Sequence, residues 1–170
     1  MAKKSDSLKY IVSAAAFAAL TMIMTAYLFH LPVGTNGGYV HFGDTMIFMA
    51  ACCLPFPYAM TAAAVGGGLA DLLTAPLWAL PTVIIKSVMA FCFTSKNKNI
   101  ICLRNVLGLP IAVAWTVFGY YVAEALLFGS WGVPLAGIPG NLIQGFGSAA
   151  LFLVFGKAAD HFGLRRRLFS

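Results

Sequence analysis

Charge is what this chain lacks. Of its 170 residues only 9% are charged, against 61% hydrophobic, whereas a soluble domain carries about 25% charged residues. That shortage excludes an ordinary soluble domain and marks an integral membrane protein. Acidic residues are scarcest, with Asp and Glu together numbering five. The common catalytic signatures are missing too. No G-x-x-x-x-G-K-[ST] is present, since Gly156-Lys157 is followed by alanine and lacks the upstream glycine, so nucleotide hydrolysis by a P-loop is excluded. There is no G-x-S-x-G and no H-E-x-x-H, so no enzyme reading has a constellation to rest on. The four cysteines, Cys52, Cys53, Cys92 and Cys102, contain no C-x-x-C pair and read as buried thiols, not a disulfide framework or zinc site. His30 and His41 have no third ligand at a suitable spacing, so neither metal nor cofactor is expected.

What is present is apolar sequence punctuated by Gly, Pro and aromatic residues. A membrane span needs about 20 apolar residues, fewer where protein shields it. Residues 1–170 therefore read as a single all-α membrane domain, a compact bundle of six transmembrane helices at about 8–29, 42–54, 58–74, 82–94, 101–128 and 140–155. The first run is longer than the apolar core of a signal peptide and ends in Phe29-His30-Leu31-Pro32, so it reads as a permanent span. A bend is expected at Pro110. The net charge of +6 is concentrated at Lys3, Lys4 and Lys9, at Lys96, Lys98 and Arg104, and at Lys157 with Arg165 to Arg167. An even number of spans puts all three groups on one side, so the positive-inside rule makes both termini cytoplasmic and leaves no reason to invoke nucleic acid.

Against this background the ionisable residues inside apolar runs stand out: Asp44, Asp71, Lys86 and Glu124. A charge at mid-membrane costs about 2.5 to 3.5 kcal/mol even on a lenient scale. A salt bridge such as Asp71 with Lys86 would fix the bundle, whereas a ligand cavity would use the same groups to orient a small molecule. Asp44, near the outer end of its helix, and Lys86 could both face an external pocket. Tyr39, Trp78, Tyr120, Tyr121 and Trp131 cluster at that level, where an interfacial belt is the simpler reading. Asn141 and Gln144 share a helix face at i, i+3 and offer donors and acceptors together. In the first span, Ala14 with Ala18 and Ala15 with Ala19 form small-xxx-small pairs, suited to close helix packing within the bundle or against another membrane protein.

In order and spacing, Gly38-Tyr39-Val40-His41-Phe42-Gly43-Asp44, Gly66 to Leu73, Pro81 to Lys86, Glu124 and Pro139 to Gly145 are similar to a known family. The chain resembles the substrate-binding S components of energy-coupling factor (ECF) vitamin transporters, in the riboflavin-type or hydroxymethylpyrimidine/pyridoxine-type branch. The resemblance implies a multi-pass protein of the bacterial cell membrane that binds a vitamin-like heterocycle from outside. It also implies partners: a transmembrane coupling protein, on which Ala14, Ala15, Ala18 and Ala19 would dock, and two cytoplasmic ATPases. The first loop would be a lid, and ligand groups would come from Tyr39, His41, Trp78, Lys86, Tyr121, Glu124, Asn141 and Gln144. Lys86 and Glu124 would suit a small pyridine or pyrimidine such as pyridoxine or hydroxymethylpyrimidine, with riboflavin or a deazapurine precursor next. A stand-alone channel for a small solute and an accessory subunit without ligand are the competing readings.

Overall fold

The computed structural model of the protein describes residues 2–28, 31–32 and 39–165. Most of the glycine-rich first loop, including Gly34, Gly37 and Gly38, and His30, Arg166 and Arg167 lie outside the described residues. Six helices carry the fold: α1 (Ala2–Ala26), α2 (Asp44–Cys53), α3 (Phe56–Thr74), α4 (Ala79–Met89), α5 (Leu103–Phe128) and α6 (Ile138–His161). Between α1 and α2 a small antiparallel hairpin pairs β1 (Leu31–Pro32) with β2 (Tyr39–Val40), Leu31 opposite Val40 and Pro32 opposite Tyr39.

Prolines and glycines set the helix ends. Pro55 precedes α3 and Pro57 lies in its first turn, where a missing N–H is harmless. Gly129 closes α5 in the left-handed conformation at φ 63°, which a residue without Cβ adopts readily. The expected fourth span begins earlier than its apolar pattern suggested. Pro76–Trp78 form a 3₁₀ turn and α4 starts at Ala79, with Pro81 absorbed into its first turn. α5 runs unbroken through Pro110, and α6 continues past residue 155 to His161.

By length and composition three helical segments can cross a membrane: Ser7–Ala26, Leu103–Phe128 and Val133–His161. The apolar helices Asp44–Cys53 and Pro76–Cys92 are shorter. α2 is the most enclosed element, with nine of its ten residues buried, which is why so short a helix needs no lipid-facing length of its own. The outside of the bundle is oily, with Leu8, Leu80, Leu103, Leu126 and Phe146 all exposed. In water such a surface would be an aggregation liability, and in a bilayer it is the wetted face.

Successive helices run in opposite directions, so the start of α1, the 93–102 connection and the end of α6 gather at one end, and the hairpin at the other. Packing is closest where glycine removes a side chain. A Cβ on Gly66 of α3 would fall 2.7 Å from the Ala18 carbonyl oxygen of α1, and one on Gly67 would fall 3.0 Å from the Thr82 methyl of α4. Toward the basic end, Phe48, Phe93 and Phe152 stack with centroids 5.0 to 6.0 Å apart and fill the core with α2 at its centre. Buried hydroxyls such as Thr116 bond the carbonyl one turn back (Ala112, 2.9 Å), the usual way a threonine is satisfied inside an apolar helix.

Candidate functional site

At the hairpin end, polar side chains from five helices turn inward and bond to one another. α2 begins at Asp44, α4 carries Lys86 one turn beyond Thr82, and α6 carries Gln144 one turn beyond Asn141. Lys86 Nζ lies 2.7 Å from Asp44 Oδ1 and 2.8 Å from Oδ2, and Gln144 Nε2 donates to Asp44 Oδ2 at 3.1 Å. Lys86 and Asp44 are each 1% exposed, so the ammonium and carboxylate have exchanged water for each other. Such a pair adds little net stability, but removing one partner strands the other. The expected Asp71–Lys86 bridge is not formed. Lys86 reaches across 42 sequence positions to Asp44 instead, its long side chain extending from α4 to the first residue of α2.

Asp71 is served by hydroxyls. The Tyr39 hydroxyl, from β2, and the Thr82 hydroxyl, from α4, both donate to its carboxylate. Tyr120 Oη and Thr82 Oγ1 are 2.7 Å apart. Since a hydroxyl has one hydrogen and Thr82 gives its own to Asp71, Tyr120 donates to Thr82. The Tyr120 ring in turn faces Lys86, whose Nζ is 5.3 Å from the ring centroid, within cation–π range. Trp78, buried at the head of α4, meets Tyr120 edge-on at 6.0 Å. One connected network thus joins β2, α3, α4, α5, α2 and α6.

His41 is buried beside this network. Its Nδ1 accepts the Gly43 N–H at 3.0 Å and lies 3.4 Å from Thr25 Oγ1 of α1. Glu124, one turn beyond Tyr120 on α5, is also buried. Its Oε2 lies 3.2 Å from where a Cβ on Gly137 would stand, and Asn141 Nδ2 lies 3.9 Å from the same point. Glu124 and Asn141 therefore close around one glycine at the start of α6.

Of the predicted ligand groups, Tyr39, His41, Asp44, Trp78, Lys86, Glu124, Asn141 and Gln144 gather at this end. Tyr121 points elsewhere: its hydroxyl donates to the Trp131 carbonyl at 3.0 Å, and its ring lies 6.1 Å from that of Trp131. The first-span alanines divide. Ala14 and Ala18 are buried against the bundle, while Ala15 and Ala19 are exposed. Thr82 was not singled out in the sequence, and Asp71 and Tyr120 were singled out without being assigned to the ligand, yet these are three of the network's seven side chains. The signal for two of them lay in helical spacing, since Thr82–Lys86 and Tyr120–Glu124 are both i, i+4 pairs on one face. Among the described residues no cluster of His, Cys, Asp or Glu suits a metal ion.

The chain is 32% identical over 112 residues to a protein of Pyrococcus woesei described as "Uncharacterized protein in gap 3'region", covering 64% of this chain and 74% of that protein. A family profile described as "ECF-ribofla_trS: ECF-type riboflavin transporter, S component" matches residues 5–160. An apolar helical bundle with a buried polar centre is what a membrane subunit that binds a small polar molecule requires. The chain is a multi-pass membrane protein that belongs to the ECF-type riboflavin transporter S-component family, a family of vitamin-binding transporter subunits and not of enzymes.

Proposed function

We propose that this protein is the specificity subunit of an ATP-driven importer and captures a water-soluble, vitamin-like heterocycle from outside the cell. The observation that carries the reading is the buried Lys86–Asp44–Gln144 constellation, continuous with Asp71, Thr82 and Tyr120, inside a bundle of S-component sequence. Expensive polar groups in hydrocarbon mark a ligand path or site. Tyr39 and His41 lie at the hairpin, above the pocket. Trp78 and Tyr120 offer flat faces to a ring, and Asn141 with Gln144 reads its edge. Tyr121 acts indirectly, by donating to the Trp131 carbonyl and so tethering the α5–α6 connection to α5. The family's own name makes riboflavin the first candidate, followed by the small pyridines and pyrimidines that suit Lys86 and Glu124.

In this reading the helices make six spans, with the hairpin end outward and both termini cytoplasmic. Lys96, Lys98 and Lys157 then face the cytoplasm, as the positive-inside rule asks. With no nucleotide-binding motif of its own, the chain needs a transmembrane coupling protein and two ATPases for uphill uptake. Exposed Ala15 and Ala19 offer α1 a smooth face for that coupling protein. The test is to purify the protein in detergent from cells grown on rich medium, denature it, and identify the released small molecules by mass spectrometry. One stoichiometric heterocycle, lost from Gln144→Ala, supports the proposal. An empty protein that no compound in a vitamin panel stabilises, or solute uptake without a coupling module, overturns it.

A further inference from the structure

At the hairpin end one buried carboxylate, that of Asp71, is held by hydroxyls among the described residues. Three of the chain's five acidic residues, Asp44, Asp71 and Glu124, are buried there. Lys86 is the one lysine or arginine buried among the described residues, and Asp44 engages it through both oxygens. The partners of Asp71 are hydroxyls, which bring hydrogens but no positive charge. Lone carboxylates are not placed in a water-poor interior without compensation. The fourth acidic residue, Asp160, shows the structural alternative, with two backbone N–H groups on its carboxylate at 2.7 and 2.9 Å. Asp71 has no such backbone cap and sits directly beneath Tyr39 of the hairpin.

We infer that Asp71 is a specificity-determining residue: the site accepts a neutral or cationic heterocycle that presents hydrogen-bond donors, and rejects the same heterocycle carrying a phosphate. The inference rests on the proposed binding function and adds the charge class of the ligand. A donor on the ligand replaces or joins the Tyr39 hydroxyl at Asp71. A phosphate there would meet like charge with, among the described residues, no other buried lysine or arginine than the Asp44-paired Lys86 to offset it, and like-charge juxtaposition is among the strongest devices for excluding a wrong partner.

The test uses the full chain in lipid nanodiscs and two ligand sets. One is riboflavin, flavin mononucleotide and riboflavin 5′-acetate, and the other is pyridoxine, pyridoxine 5′-phosphate and pyridoxine 5′-acetate. The acetyl esters add bulk at the same hydroxyl without charge. For whichever parent binds, the phosphate ester binds about 100-fold more weakly, while the acetyl ester stays within about tenfold. Asp71→Asn narrows the parent-to-phosphate gap at least about fivefold, and Tyr39→Phe, which keeps the carboxylate, leaves that gap unchanged. A phosphate ester that binds as tightly as its parent, an acetyl ester rejected as strongly as the phosphate, or an Asp71→Asn gap equal to wild type overturns the inference. If Asp71→Asn does not fold, the wild-type triplets decide it alone. A folded protein that binds neither parent nor any other compound of the vitamin panel overturns the binding function itself, and is thereby distinguished from failure of the charge rule.

Discussion

The two ends of the bundle use polar side chains in opposite ways. At the basic end they serve the backbone. Asp160 caps the N–H groups of Ile100 and Ile101. Asn105 accepts from Thr94 N at 2.8 Å and donates to the carbonyls of Thr94 and Ile100 at 3.1 and 2.9 Å. Arg104 donates to the Cys92 carbonyl at 2.6 Å. At the hairpin end side chains bond chiefly to side chains, through Lys86, Asp44, Gln144, Asp71, Tyr39, Thr82 and Tyr120. A backbone group held in place by a side chain cannot be handed over without unravelling the chain. A hydroxyl or amide held by another side chain can turn to a ligand while the helices stay put. One end is a clasp and the other, in the proposed function, a receptor.

The sharpest way to break this contrast is to strip the receptor end of its cation. Lys86→Met leaves Asp44 buried and unpaired, and should cost about 3 to 5 kcal/mol of stability, measured by thermal or denaturant unfolding in detergent. The double change Asp44→Leu with Lys86→Met should recover most of that stability while ligand binding stays lost. A double variant that binds normally would show the pair to be structural only. Next in size is the clasp. Asn105→Ala leaves backbone groups of the 93–102 connection unsatisfied and should cost about 1 to 3 kcal/mol with unchanged ligand affinity in whatever protein folds. A comparable loss of affinity would erase the division between the ends. Tyr39→Phe removes one donor to Asp71, worth about 1 kcal/mol. Its effect should appear as faster ligand release in stopped-flow measurements, with a melting temperature close to wild type. Smallest of all, Lys98→Ala, at an exposed position of the 93–102 connection, should move stability by less than about 0.5 kcal/mol.

Much of the fold could be read from the residues because membrane sequences are punctuated plainly. Asp44 opens α2 where the apolar run begins, and Thr74 and Phe128 end α3 and α5 where expected. The start of α4 was misread because Pro81 looked like a breaker, whereas a proline within the first helical turn forfeits no hydrogen bond. The ionisable residues were legible as a set, since any charge in hydrocarbon is conspicuous. Their pairing was not. Asp71 is nearer to Lys86 in sequence, but helix rotation decides partners, and rotation depends on where Gly66 and Gly67 let α1 and α4 approach. The same limit hid which alanines of α1 face inward, because Ala14 and Ala15 differ by one position and by about 100° around the helix.

The shortness of α2 has an electrical consequence. Ten residues reach about 15 Å, half of a hydrocarbon layer about 30 Å thick. Its far end meets the turn into α3 at the basic face, so in the proposed six-span orientation Asp44 and Lys86 would lie near the middle of the membrane field. One elementary charge crossing the whole field gains or loses about 2.3 kcal/mol per 100 mV, so a charge stopping halfway feels about half of that. In that proposed orientation, with the hairpin end outward, an inside-negative cell would draw a cationic cargo into this site and hold it roughly sevenfold more tightly at 100 mV than a depolarised one. A neutral cargo would be held with the same affinity at any voltage.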